Sequence, residues 1–145
     1  MREIDAIVIH CSYTPPSMDI GVREIYDWHV NDNGWKDIGY HYVIRRNGNI
    51  EIGRPEHTPG AHVAGHNHNT IGLCLVGGQS QTGRNPSNFT KEQYLSLNKL
   101  IDDLKSRYPK VKIRGHRSYN PGKLCPQFDT EAYFENYEFD RARDS

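Results

Sequence analysis

The sequence predicts an α/β fold, with a mixed central sheet flanked by helices in a single domain over residues 1–145. Three observations support this. Short apolar runs that are typical of buried strands alternate with segments that have the three-to-four-residue apolar spacing of amphipathic helices. The length of 145 residues suits one domain. No internal repeat or low-complexity linker divides the chain.

The first half of the chain is predicted to contain a strand, a helix and a hairpin. Ile4 to His10 forms a short apolar run that ends before a Pro-Pro loop. Gly21 to His29 has apolar residues on one helical face. Tyr40 to Arg45 and Ile50 to Ile52 predict two strands, because the Asn-Gly pair between them is a strong hairpin signal.

The second half is predicted to contain two strands and two helices. Leu73 to Val76 is a buried strand stopped by two glycines. A capping box at Thr90 begins the clearest helix, whose apolar repeat runs to Tyr108. Val111 to Arg114 is a short edge strand, Gly115 to Pro126 an irregular loop, and Glu131 to Tyr137 a last helix.

Composition excludes several classes of protein. Lys and Arg number 18, as do Asp and Glu, and this zero net charge argues against a protein that binds nucleic acid non-specifically. No apolar run approaches the roughly 18 residues of a membrane span, so we expect no membrane partner. The first residues lack the apolar stretch of a signal peptide. The three cysteines form no C-x-x-C pair, which disfavours a disulfide scaffold.

Three residues are candidates for a metal site. His10 ends the first predicted strand, His116 follows the edge strand, and Cys125 comes nine residues later. Side chains at the carboxyl ends of neighbouring parallel strands converge, and two imidazoles with a thiolate suit zinc. The spacing leaves two alternatives open. His10 could be a core histidine and Cys125 a buried thiol, or Cys125 and His116 could form a nucleophilic pair.

Two further residues could act on a substrate next to such a metal. The Tyr40 hydroxyl and the Lys123 ammonium are donors that can stabilise a developing oxyanion. Taken alone, Tyr40 is equally compatible with strand packing and Lys123 with a solvated surface charge. The long loop from Gly53 to Asn69 contains His62, His66 and His68. Such a concentration of polar residues favours a substrate groove slightly over plain exposed histidines.

Together, these residues resemble a known family. The matching stretches cover nearly the whole chain in the family's order: Ile7–Ser12, Gly21–Ile25, Trp28–His29, Gly34–His41, Asn67–Gly78 and Lys123–Asp129. The chain resembles the zinc-dependent N-acetylmuramoyl-L-alanine amidases of the type-2 amidase and peptidoglycan-recognition-protein superfamily. Within that family it resembles the small amidase endolysins of short-tailed coliphages.

The resemblance implies a substrate, a metal and a set of residue roles. It implies zinc bound by His10, His116 and Cys125, with peptidoglycan in a groove above it. It implies catalytic roles for Tyr40 and Lys123. Substrate-contacting segments of the family match those that contain Trp35, His62 and Asn67. Family members that only recognise the cell wall typically lack the cysteine ligand, so Cys125 favours an enzyme.

The resemblance also raises the question of a second partner. Small coliphage endolysins inhibit their phage RNA polymerase, partly through residues ahead of the first strand. Only three residues precede Ile4 here, so we expect weak inhibition of such a polymerase or none. We expect a monomer that is made in the host cytoplasm and reaches the wall after release by a holin. A regulator of the polymerase, with or without amidase activity, is the alternative.

Overall fold

The computed structural model describes residues 2–79, 89–120, 125–126, 128 and 130–135. It confirms the predicted mixed sheet with helices packed on it. The strands are β1 (Ala6–Cys11), β2 (Tyr42–Ile44), β3 (Ile50–Ile52), β4 (Thr70–Leu75) and β5 (Lys112–Gly115). The α-helices with defined bounds are α1 (Val22–Asp27), α2 (Lys91–Arg107) and α3 (His116–Tyr119). A π-helical turn (Trp28–Asp32) follows α1, and a 3₁₀ turn (Asn67–Asn69) precedes β4.

The five strands form one sheet in the order β3-β2-β4-β1-β5. β1 runs parallel to both β4 and β5, and β2 runs parallel to β4, whereas the hairpin strand β3 is antiparallel to β2. Since β1, β2, β4 and β5 point the same way, their carboxyl ends lie at one edge of the sheet. Ligand sites of open α/β sheets form at this edge.

A separate hydrophobic cluster packs on each face of the sheet. Alternate residues of β1 and β4, such as Ile7, Ile9 and Leu73, join the larger cluster, which α2 covers with Leu97 and Ile101. The opposite face supports a smaller cluster of buried residues: Ile20, Ile25, Ile38, Val43, Cys74 and Val76. Burial on both faces explains why β1 and β4 are continuous apolar runs and not alternating ones.

Helix α2 forms as the sequence predicts. The Thr90 hydroxyl accepts a hydrogen bond from the Gln93 backbone N–H, and the Gln93 side chain accepts one from the Thr90 N–H, which completes the capping box. Phe89 packs edge-on against Tyr94, 6.2 Å between ring centroids. These contacts fix the start of the helix, whose apolar face then packs on the sheet.

Several element boundaries differ from the predictions. β1 continues to Cys11, so His10 is not its last residue. Tyr40 does not open β2, which begins at Tyr42, because the carbonyl groups of Tyr40 and His41 accept hydrogen bonds from the Arg54 and Gly53 N–H groups in the loop after β3. The helix predicted to run to His29 changes to π-helical geometry at Trp28.

The region after β5 was predicted as an irregular loop, and this was wrong at its start. His116 begins the short helix α3, because Gly115 ends β5 in extended geometry and the Asn120 N–H bonds back to the His116 carbonyl. Residues 121–124 lie outside the described part of the chain. The predicted last helix is present over residues 130–135. None of the helices among the described residues has the length and apolar character needed to cross a bilayer.

Candidate metal centre and substrate groove

The two candidate histidine ligands are brought together by strand register. Ile9 of β1 pairs with Gly115, the last residue of β5, in the parallel ladder. The residues that follow them, His10 in β1 and His116 at the start of α3, therefore lie next to each other. Their ring centroids are 4.5 Å apart. His10 is 1% exposed, and His116 is half-buried. The convergence expected at the carboxyl ends of neighbouring strands is therefore present.

Cys125 reaches the same point from the segment after α3. Its Sγ accepts a hydrogen bond from the Cys11 backbone N–H at 2.8 Å, and its carbonyl accepts one from the Arg117 N–H. One potential ligand atom from each of His10, His116 and Cys125 lies within 4.8 Å of the others. Among the described residues, these side chains form a candidate metal site.

The donor set fits zinc. Two imidazoles and a thiol match the nitrogen and sulfur ligands that zinc prefers, and three protein ligands are typical of catalytic zinc sites. Burial, followed by the neighbouring rings of His62 and His116, holds the pKa of His10 well below its usual value, so the ring is neutral as a metal ligand must be. No rearrangement of the strands is needed to bring these donors around one ion.

The protonation of Cys125 bears on the alternative of a nucleophilic cysteine. Its hydrogen bond with the Cys11 thiol, together with burial, raises the pKa of Cys125 far above its usual value. A thiol held protonated is a poor nucleophile, because the thiolate is the reactive form. A bound divalent cation deprotonates a coordinating thiol. Metal binding also accounts for the position of His10, which lies in the same cluster and has no part in a Cys125–His116 nucleophilic pair.

A groove of about 390 Å³ opens beside these side chains. Its lining consists of aromatic, imidazole and small apolar side chains: His10, His29, Trp35, Tyr40, Ala61, His62, Val63, Ala64, Asn67 and His116. The Tyr40 and His10 ring centroids are 5.1 Å apart. Burial raises the pKa of Tyr40 well above its usual value, so its hydroxyl stays protonated and can donate a hydrogen bond.

The predicted substrate-contacting residues all line this groove. Trp35 is 38% exposed on its rim. His62 is 9% exposed, and its two ring nitrogens hydrogen-bond to His10 and Thr70. Asn67 is half-buried, and its Oδ1 accepts hydrogen bonds from the backbone N–H groups of His62 and Val63. Contact of these residues with a substrate stays a prediction.

The other predicted residues do not join the groove in the same way. His66 and His68 are exposed, and His66 packs against Tyr119 with ring centroids 4.6 Å apart. Lys123 lies outside the described residues. Its catalytic role therefore stays a prediction from the sequence.

One residue of the groove, His29, was not among the predicted site residues. Its Nδ1 accepts a hydrogen bond from the Gly39 N–H at 2.9 Å, and its ring packs against Trp35 and Tyr40 at centroid distances of 4.6 and 5.5 Å. His29 thus holds the segment that presents two groove residues. The signals in the sequence were its place on the apolar face of the first helix and its place in the family-matching stretch Trp28–His29.

Comparison with known proteins places this geometry in a family. The family model described as N-acetylmuramoyl-L-alanine amidase matches residues 1–128. The chain belongs to the N-acetylmuramoyl-L-alanine amidase family. Within that family it is similar to the endolysin of Escherichia phage T7, with 46% identity over 92% of this chain and 87% of the relative.

Solved structures agree with this amidase fold. The N-acetylmuramoyl-L-alanine amidase LysC from Clostridium intestinale matches with a TM-score of 0.80 and 26% identity, over 96% of this chain and 87% of that chain. Drosophila PGRP-LB matches with a TM-score of 0.74 and 27% identity, over 87% of this chain and 76% of that chain. The amidase fold is therefore shared with a peptidoglycan-recognition protein as well as with an enzyme.

Proposed function

We propose that this amidase is an endolysin that uses zinc to hydrolyse the amide between the lactyl group of N-acetylmuramic acid and the L-alanine of the stem peptide, for lysis of the host cell. Its membership of the amidase family and its similarity to phage endolysins support cleavage of peptidoglycan. The observation that supports the metal mechanism most directly is the convergence of His10, His116 and Cys125 beside a groove.

The chemistry divides between the ion and the side chains around it. A zinc ion held by His10, His116 and Cys125 would polarise the scissile carbonyl and bring the pKa of a water molecule close to neutral. Tyr40, with its hydroxyl protonated, donates a hydrogen bond to the oxygen that gains negative charge. Lys123 is proposed as a second donor to that oxygen.

Groove residues orient the scissile amide of the substrate for hydrolysis. Trp35 offers an exposed aromatic face at the rim, which suits the apolar face of a sugar ring or a peptide side chain. His29 keeps Trp35 and Tyr40 in place through ring contacts and its hydrogen bond with Gly39. Correct placement of the amide matters because a displacement of about 1 Å can cost roughly 10²-fold in rate.

Mass spectrometry of the products from purified peptidoglycan tests the bond and the reaction together. We expect released stem peptides that begin with a free L-alanine amine, and glycan strands that keep intact N-acetylmuramic acid. A digest with protein treated with a chelator, and the same digest after zinc is restored, are the matched controls. New reducing ends on the glycan, without free L-alanine amines, would show a glycosidase instead.

Zinc content is the second expected result. Protein purified without added metal should contain about one zinc per chain, because structural and catalytic sites of this ligand type bind zinc tightly. Elemental analysis against protein concentration measures this. Full activity with less than about a tenth of an equivalent of zinc would contradict the metal mechanism.

Two other functions are alternatives to an enzyme. A module that only recognises the wall is disfavoured because Cys125 completes the candidate ligand set. Regulation of a phage RNA polymerase gains no support from the comparisons. Loss of turbidity in suspensions of cell walls separates the enzyme from both, since neither binding nor polymerase inhibition dissolves the wall.

A further inference from the structure

His62 lies directly behind one of the candidate ligands. Its Nδ1 is 2.8 Å from Nε2 of His10, and its Nε2 is 3.2 Å from the Thr70 hydroxyl. The Thr70 hydroxyl in turn donates to the His66 backbone carbonyl at 2.7 Å. All three side chains in this row, those of His10, His62 and Thr70, belong to buried residues.

The proton positions along this row follow from its last member. The Thr70 hydroxyl has one hydrogen, which it gives to the His66 carbonyl, so it can only accept from His62. Nε2 of His62 must then carry a proton. The ring partners of His62 are an imidazole and a hydroxyl, and a buried imidazolium without a carboxylate is costly. His62 is therefore neutral, and its Nδ1 accepts.

The position of the proton on His10 follows from that of His62. Because Nδ1 of His62 accepts, Nε2 of His10 must be the donor. A neutral imidazole carries one proton, so Nδ1 of His10 keeps its lone pair. That nitrogen is the one left to bind a cation.

The surroundings of His62 hold its ring in this place. A Cβ on Gly72 would lie 2.6 Å from Cγ of His62, and one on Gly60 would lie 2.8 Å from its Cδ2. The ring thus occupies space that any side chain at either glycine would fill. Asn67 holds the backbone, since its Oδ1 accepts from the His62 N–H. The ring is anchored by packing as well as by hydrogen bonds.

We propose that His62 is a positioning residue for the metal centre, which fixes the tautomer and orientation of His10 so that Nδ1 faces the ion. This inference rests on the zinc site of the proposed function, and it gives His62 a role beyond contact with substrate. Partners of this kind typically change metal affinity by roughly 10–100-fold when they are removed.

Zinc affinity of two variants tests the proposal. His62→Leu fills similar space without an acceptor, and we expect zinc to bind roughly 10–100-fold more weakly in competition with a chromophoric chelator. His62→Asn places an amide oxygen near the position of Nδ1, so we expect it to recover most of the lost affinity. Circular dichroism and thermal unfolding of the metal-free proteins verify that both variants fold.

Four outcomes would overturn the proposal. One is wild-type affinity in His62→Leu, and another is equal weakening in both variants, which would indicate packing alone. The third is independent of any variant: nitrogen-15 NMR of metal-free wild-type protein should show the proton of His10 on Nε2, and a proton on Nδ1 would contradict the assignment. If the wild-type protein binds no zinc at all, the proposed metal mechanism fails as well, whereas the other outcomes leave it standing.

Discussion

Cys125→Ser is expected to remove zinc from the protein and to abolish hydrolysis while the fold remains. A serine hydroxyl is a far poorer zinc ligand than a thiolate. The loss should exceed the roughly 10–100-fold in affinity that removal of an outer-shell partner costs. The fold should survive because a serine hydroxyl can still accept the hydrogen bond that the Cys11 N–H now donates to the sulfur.

Zinc content and release of stem peptides, measured on the same preparation, check this result. Cys11→Ser is the matched control, because it changes a neighbouring thiol that is outside the candidate ligand set and keeps the backbone N–H. We expect the control to retain zinc. Wild-type zinc content and turnover in Cys125→Ser would show that Cys125 is not a ligand.

The convergence of two of the three candidate ligands could be predicted, because it depends on strands that the sequence pattern indicates. The apolar run before His10 and the short edge-strand segment Val111 to Arg114 before His116 predict strands, and parallel strands bring their carboxyl ends together. The structure adds the register, in which Ile9 stands opposite Gly115. Cys125 entered the candidate set because it follows His116 by nine residues and is a typical zinc ligand, but this spacing left a buried thiol or a nucleophile open. Only the resemblance to a family implied that Cys125 is a ligand.

Other parts of the site could not be predicted because they depend on contacts between distant segments. His62 is 52 residues from His10 in the sequence, and no local pattern indicates that their rings meet. Gly72 lies within an apolar strand, where its lack of a side chain matters only because the His62 ring fills that space. The change to π-helical geometry at Trp28 could not be predicted either, because it comes in the last turn of the segment, after most of the apolar repeat has passed.

Tyr40→Phe is expected to keep zinc and to lose turnover by roughly 10²–10³-fold, the usual effect of removing one preorganised oxyanion donor. The ring contacts with His10 and His29 should persist, since only the hydroxyl is removed. Tyr26→Phe is the matched control, because Tyr26 is 42% exposed and is not among the groove residues.

Lys123→Ala should show the same pattern of retained zinc and lost turnover. Peptidoglycan hydrolysis within about threefold of wild type would exclude an oxyanion role of this size for the residue that was changed.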